Sequence, residues 1–377
     1  MQIIDRDKCS VTGSTDLEEL HIIKDFPVFM GCLNSPHNED LFQDMVWSIS
    51  KSSGVLQLSK LIPLDVLYGN SHGSGFVGSI WEKHHTEFAE FISNYNPRSV
   101  LEIGGGHGKL AKLYESHSDI SWTIVEPNPT PPEDSNAIYV EGFFDEDFPK
   151  PTEIDTVVHS HVFEHIYDHI EFMENLSNKI EIGQKLIFSV PNMEVMLERM
   201  YTNCLNFEHT VFLTEPYIEY LLGNHGFKII EKKYFLDDHS IFYSTERIER
   251  SLEFNLDDSL YNHNKKLYLD FVRYHEEEVI KLNKAIEEFS GPVFLFGAHI
   301  FSQYLVMSGL DTKKINCLLD NDPNKQTKRM YGTNLSVDSP AVLKEHDKPL
   351  VILKAGVYND EIKEQIIEDI NSQTVFL

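Results

Sequence analysis

Two short stretches carry residues that could move protons or hold a metal. The first is His161-Val-Phe-Glu-His165, within "IDTVVHSHVFEHIYDHIEF". Two histidines four residues apart, with a glutamate just before the second, fit the H-x-x-E-H pattern of inverted zinc proteases. The second is Asn206-Phe-Glu208-His209, within "NCLNFEHTVFLT". A histidine next to a carboxylate suits general-base chemistry near neutral pH. A zinc protease sets both histidines on a helix clear of any nucleotide-binding fold and needs a third ligand downstream. Whether His161 and His165 have that setting depends on the elements around them.

Those elements alternate strand with helix. "SIWEKHHTEFAEFISNY" (79–95) has apolar residues at helical spacing. "RSVLEIGGG" is a buried strand entering a glycine turn, "GKLAKLYESH" a helix and "SWTIVEPN" the next strand. "IDTVVHSH" is a third strand, "HVFEHIYDHIEFMENLSNKI" a helix and "QKLIFSVPN" a fourth strand. This rhythm predicts an α/β fold, a parallel sheet with helices on both faces. "EPYIEYLLGNHG" reads as a helix closed by glycine, and "FKIIEKKYFLDDHSIFYSTER" as a hairpin finishing the sheet. The expected organisation is an N-terminal region over 1–70, a central domain over 71–250, a helical connector over 251–290 and a small C-terminal α/β domain over 291–377.

The glycine turn gives the sheet a ligand. "VLEIGGGHGKL" sets Glu102, Gly104, Gly106 and Gly108 on an acidic-x-G-x-G-x-G frame between a strand and a helix. Missing side chains let an anionic or nucleotide ligand approach the backbone. Glu126, followed by Pro127, ends the next strand about 20 residues on, where a carboxylate accepts both hydroxyls of a ribose. The layout suits NAD as well as S-adenosylmethionine (SAM). An acid inside the strand, read as E-x-G, resembles the first motif of class I methyltransferases and favours SAM. A bare strand-to-helix turn is the plainer alternative. Phe143 or Phe144 in "EGFFDEDF" is expected near the adenine. Tyr68, Asn70 and His72 in "YGNSHGSGFVGSIW" suit a loop folding over the cofactor. His159 is placed with the cofactor-lining residues, although packing suits it and His169 as well. "HVFEH" follows directly on a central strand, over the crevice at the C-terminal sheet edge. His161 and His165 then line a methyl-transfer pocket or simply begin the next helix, and the protease reading recedes.

Composition bounds the partners. The chain has 377 residues, 41% hydrophobic and 24% charged, which is globular composition with room for two or three domains. A formal net charge of −28 argues against nucleic acid or an anionic membrane as general partners, but leaves room for a small basic pocket. No stretch has the layout of a signal peptide or transmembrane length. Four scattered cysteines give no disulfide framework, so a reducing cytoplasm is the expected home.

Taken together, "VLEIGGGHG", "VEPNP", "HVFEH", "LFGAHI", "LLDNDPNKQ", "YGTNLSV" and "SPAVL" resemble the SAM-dependent methyltransferases of nucleotide-linked deoxysugars, over nearly the whole chain. The resemblance implies a class I methyltransferase Rossmann-like sheet between a small N-terminal zinc-binding region and a C-terminal Rossmann-like α/β domain. It places Glu208 and His209 at the family's aromatic-x-E-H element. There are two departures. Of the four zinc cysteines, only Cys9 remains; Thr12, Ser50 and Ser53 replace the others, and hydroxyls are poor zinc ligands. No metal is expected there; an alternative set of Cys9, His21, Cys32 and His37 is possible in principle. The tyrosine that stabilises an enolate in C-methylating members is Asn206 here, which makes O-methylation credible.

The expectation is therefore a SAM-dependent methyltransferase acting on a small molecule, a sugar carried on a nucleotide, at oxygen or carbon. His209 with Glu208 is the first choice of base, and His161 and His165 the second. A loop cluster packing under the sheet is the bland reading of "NFEH". Another small metabolite as acceptor, or a non-catalytic nucleotide-sugar binding protein, are the rival readings. Monomer and homodimer remain open.

Overall fold

The computed structural model describes residues 2–69, 78–114, 120–236 and 239–377. Asn70 and His72, expected over the cofactor, lie outside them.

Near the N-terminus, β1 (Leu17–Pro27), β2 (Phe42–Ser50) and β3 (Leu56–Leu58) form an antiparallel sheet. Helix α1 (Ser79–Ser93) leads into the central unit. There β4 (Ser99–Ile103), α2 (Lys109–Tyr114), β5 (Ser121–Glu126), β6 (Ile138–Glu141), β7 (Thr156–Ser160), α3 (His169–Lys179), β8 (Lys185–Pro191), α4 (Glu215–Asn224), β9 (Phe227–Phe235) and β10 (Ser240–Arg247) follow in turn. The seven strands lie in the order β9-β10-β8-β7-β4-β5-β6. All pairings are parallel except those of β10 with β8 and β9, so the expected terminal hairpin closes the sheet. This is the class I methyltransferase Rossmann-like fold.

Alternation along the strands sorts two cores. Val100, Ile124, Val158 and Ile187 face α1 and α2, packing on Phe88, Phe91, Ile92, Leu110 and Tyr114. Leu101, Val125, Val157 and Leu186 face the other way, onto Phe172, Met173 and Leu176 of α3 and Tyr217 and Ile218 of α4. Coverage on both faces accounts for the nearly unbroken apolar runs of β4, β7 and β8.

Helix α5 (Leu260–Glu288) does more than connect. Its Tyr268, Phe271 and Val272 pack with Trp47, Phe212, Ile300 and Tyr304, whereas its Val279, Leu282 and Ile286 pack in the C-terminal core. That unit contains β11 (Val293–Phe296), α6 (Ile300–Met307), β12 (Ile315–Leu319), β13 (Val337–Asp338), β14 (Leu350–Leu353) and β15 (Val375–Phe376), all parallel, in the order β13-β12-β11-β14-β15. Arg329 makes a two-pronged pair with Asp40 at 2.6 Å on each arm, and Met330 pairs with Cys32 across a short ladder. The N-terminal region is thereby fastened to the C-terminal unit.

The helix expected to start at His161 starts at His169. Residues Phe163–His165 form a 3-10 turn, and Asp168 caps α3 by accepting a hydrogen bond from the Glu171 N–H at 3.0 Å. His161 and His165 therefore do not share a helix face, which removes the basis of the protease reading. Among the described residues no helix is long and apolar enough to cross a membrane.

Candidate active site

The glycine turn sits where β4 ends. Gly104, Gly106 and Gly108 have φ of 71°, 52° and 67°, a region that favours glycine. A Cβ on Gly104 would come within 2.6 Å of Val162, and one on Gly108 within 2.1 Å of the Tyr139 hydroxyl. Those two glycines are fixed by protein packing. A Cβ on Gly106 would meet nothing within 4 Å, so this glycine faces open space at the C-terminal edge of the sheet. Its N–H donates to Glu126 Oε2 at 3.1 Å. Glu102 lies under the turn, 4% exposed, and accepts a hydrogen bond from Trp122 Nε1 at 2.7 Å. Burial pushes its carboxyl up to about 7. Glu102 therefore braces the turn and does not reach the ligand space.

Two expected cofactor contacts are corrected. Phe144 is buried against Phe148 and Phe172, whereas Phe143 is 43% exposed. Of the two, only Phe143 can meet an adenine. His159 is fully buried and stacks on Phe188 with ring centroids 4.8 Å apart. It belongs to the core, like His169, which is held by Ser10 and the Phe163 carbonyl. Pro127 is half-buried beside Glu126.

The histidine loops meet at the same edge. The segment around His209 adds to the N-terminal sheet: Leu58 N donates to Thr210 O at 2.8 Å and Phe212 N to Leu56 O at 2.9 Å. Thr210 also ties to the turn after β7, through Thr210 N to Glu164 O at 3.1 Å and Thr210 Oγ1 to Ile166 O at 2.8 Å. Arg6, which sequence reasoning missed, clamps both loops. Its guanidinium donates to Thr210 O at 3.0 Å, Leu58 O at 3.3 Å and Tyr167 O at 2.6 Å. Its partner at Thr210 lies 204 residues away in the chain, a separation that no local pattern signals.

Within this frame Tyr68, His165, Glu208 and His209 converge. Tyr68 Oη lies 3.2 Å from His165 Nδ1, and the His165 and His209 rings meet edge to face at 5.0 Å. Glu208 Oε2 lies 3.8 Å from His165 Nδ1. His209 Nδ1 instead contacts the Cys204 carbonyl at 3.3 Å. Glu208 was expected to pair with His209; the structure gives it to His165. Asn206, expected as a catalytic residue, accepts hydrogen bonds from the Glu208 and His209 N–H groups at 2.8 and 2.9 Å. Its side chain shapes the turn that aims its neighbours.

Burial sets the charge states. It pulls His209 and His165 down to about 4 and pushes Glu208 up to about 7. A carboxylate next to His209 in sequence would raise its basicity, but desolvation by burial prevails and lowers it. His161 differs from the others. Its side chain is 8% exposed, with Nδ1 3.2 Å from Glu164 Oε1, and its φ of 54° holds it in a region that is strained for a side chain. His165 and Glu208 are 20% and 23% exposed and can meet a ligand.

The residues that the resemblance sets at zinc-cysteine positions also come together. Cys9 Sγ is 3.6 Å from Ser53 Oγ, which donates to Ser50 Oγ at 2.8 Å; Ser50 and Ser14 both donate to Asp16, and Thr12 donates to Ser14. A hydroxyl network anchored on Asp16 fills the place. The alternative set does not assemble: His21 faces Tyr268, Cys32 the Ala298 carbonyl, and His37 the ring of Phe42.

Residues 80–232 match the sequence model of a methyltransferase-domain family. No curated protein matches the chain. Solved structures similar to it include the PH0226 protein of Pyrococcus horikoshii, at 13% identity over 46% of this chain and 93% of that one, with a TM-score of 0.37. A putative SAM-dependent methyltransferase of Listeria monocytogenes is 16% identical over 44% and 97%, TM-score 0.35. A possible histamine N-methyltransferase of Thermotoga maritima is 15% identical over 45% and 91%, TM-score 0.36. The family match falls on the sheet whose strand order and glycine turn are those of class I methyltransferases: residues 80–232 are a methyltransferase domain, and the chain is an enzyme.

Proposed function

We propose that the chain methylates a sugar hydroxyl, the sugar being carried on a nucleotide, with His209 as general base. Gly106, Glu126 and Phe143 hold the SAM nucleoside at the open space beyond β4 and β5. SAM supplies an activated methyl group; the protein aligns the acceptor and removes its proton.

One observation carries the choice of base. A carbonyl only accepts, so the contact from His209 Nδ1 to Cys204 O fixes the proton on Nδ1. Nε2 then bears the lone pair. Burial keeps the ring neutral at physiological pH, which is the state a base requires. His165, Tyr68 and Glu208 surround it with groups able to orient a hydroxyl. Asn206 is committed to its own turn and offers no hydroxyl to an enolate, which favours oxygen over carbon as acceptor.

The test is a methylation assay with isotopically labelled SAM against a panel of nucleotide sugars, the product position being read by NMR. Transfer to a sugar oxygen supports the reading. Transfer only to unrelated metabolites moves the acceptor to the broader class while leaving the enzyme assignment intact.

A further inference from the structure

Three histidines distant in sequence meet beside the methyl-transfer site: His84 on α1, His161 after β7 and His239 just before β10. One ring nitrogen of each lies within 4.8 Å of the others. Trp81 packs edge-on against all three, with ring centroids 5.2, 5.0 and 4.7 Å away. Phe88, Phe235 and Phe242 close the wall behind His84. The second ring of contacts is polar and oriented. Ser189 Oγ is 2.9 Å from His84 Nε2, and Ser240 Oγ is 2.9 Å from His161 Nε2 and 2.7 Å from His239 Nδ1.

Two features are costly in the absence of a cation. His84 Nδ1 is buried with no hydrogen-bond partner. Glu164, 1% exposed, has neither carboxylate oxygen in a hydrogen bond, and Oε1 lies 3.2 Å from His161 Nδ1. Buried carboxylates are normally paired or serve a metal. A carboxylate behind the outer nitrogen of a histidine is the usual support of a metal-ligating imidazole, whose proton it holds on the side away from the ion.

We propose that His84, His161 and His239 bind a divalent transition metal of the zinc class, with Glu164 as the carboxylate behind His161. Three neutral imidazoles suit zinc and its neighbours better than hard cations. Metal–nitrogen bonds of about 2.0–2.1 Å place ligand nitrogens about 3.3 Å apart, so the rings close in by rotation when the metal enters and the Ser240 hydroxyl turns aside. Three protein ligands leave a fourth position open for water or an acceptor oxygen. The inference does not rest on His209 as base. Its three ligands are distinct from the other cluster, Glu164, His165 and His209, with which it shares only Glu164 as the supporting carboxylate; His165 and His209 belong to the site already described.

The test is titration of the purified, chelator-treated full chain with Co²⁺, followed by its visible d–d absorption, with Zn²⁺ as competitor. The expected result is one cobalt per chain, displaced by zinc. The band should be lost in His84→Ala and in His239→Ala, whose folding is checked by circular dichroism, and kept in His209→Ala. X-ray absorption of the zinc-loaded wild-type chain should count three imidazole nitrogens, a reading that needs no variant to fold. No stoichiometric binding at micromolar cobalt overturns the proposal. So does a band that survives in His84→Ala and His239→Ala but disappears in His209→Ala, which would place the ion on the other cluster.

Discussion

Glu208 sits beside His165, with Oε2 3.8 Å from Nδ1, although its neighbour in sequence is His209. The Asn206 side chain holds this segment in a bend, from which the two consecutive side chains aim at different partners. The E-H pair thus delivers its carboxylate to one imidazole and its own imidazole to another place. Under the proposed function the two histidines would have different tasks: His209, tethered to a carbonyl, would accept a proton, and His165, between Tyr68 and Glu208, would position the acceptor.

His209→Ala should lower kcat by roughly 10²–10⁴-fold, the usual range for a lost general base. SAM affinity by calorimetry should barely move. Glu208→Gln should act mainly through His165 and raise KM for the acceptor more than it lowers kcat. The reverse pattern, with His165→Ala abolishing turnover and His209→Ala tolerated, exchanges the two roles.

The pH profile follows from burial. A base must be unprotonated, and desolvation draws His209 down to about 4, so lowering its pKa extends activity to the acid side. The acid limb of kcat/KM due to His209 should therefore fall well below the ordinary histidine range, around 6.5. Glu208, pushed up to about 7, titrates separately. A limb near 7 that vanishes in Glu208→Gln but persists in His209→Ala assigns the proton chemistry to the carboxyl group.

Much of the fold was legible because its signals are local. Strand–helix alternation and the glycine turn each occupy about ten residues. The true start of α3 was legible too: Asp168-x-x-Glu171 is the pattern of a helix cap, and His161 and His165 lie ahead of it. His159 could have been placed by period-two alternation. It shares a face with Val157, which is core, so it points to the core and not to the cofactor. Arg6 and the meeting of His84 with His239 were not legible, because each depends on loops that only the assembled sheet brings together.

The carboxylate at the end of β5 should matter for SAM alone. Glu126 accepts from Gly106 N and from Asn128 N, so it already faces the glycine turn. Glu126→Ala should weaken SAM by about 1–3 kcal/mol, the loss expected for hydrogen bonds to a charged group. Unchanged affinity would remove Glu126 from the site.

Asp16 stabilises the fold across a defined pH window. Against the desolvation that would raise it, hydrogen bonds from Ser14, Ser52 and Ser50 hold its carboxyl down to about 2. A depressed carboxylate contributes stability above its unfolded value of about 3.9 and loses it as pH falls toward 2. Much of the group faces solvent, so the contribution at neutral pH stays below about 1 kcal/mol. Urea melts of Asp16→Asn and wild type should differ at pH 6 and converge near pH 2.5. A difference that persists there would trace the effect to packing of the serine network.

Arg6 links stability to the geometry of the site. Burial draws its guanidinium down to about 10, so it stays charged at neutral pH while donating to three carbonyls and to Thr210 Oγ1. Arg6→Met keeps most of the apolar stem but strands those acceptors in the interior. The cost should be about 2–4 kcal/mol, since bonds from a charged donor are worth about 1.5–3 kcal/mol and the abandoned carbonyls add to it. Thr210 follows His209 directly, and Tyr167 lies two residues past His165, so both histidine loops should loosen together. Crystals or amide exchange of the variant should show residues 164–167 and 206–212 opening first. Turnover should fall even at temperatures where the chain remains folded, while SAM affinity, which the proposed function assigns to Gly106 and Glu126, falls less. If stability drops by this amount and kcat does not change, the clamp supports the fold without positioning the histidines.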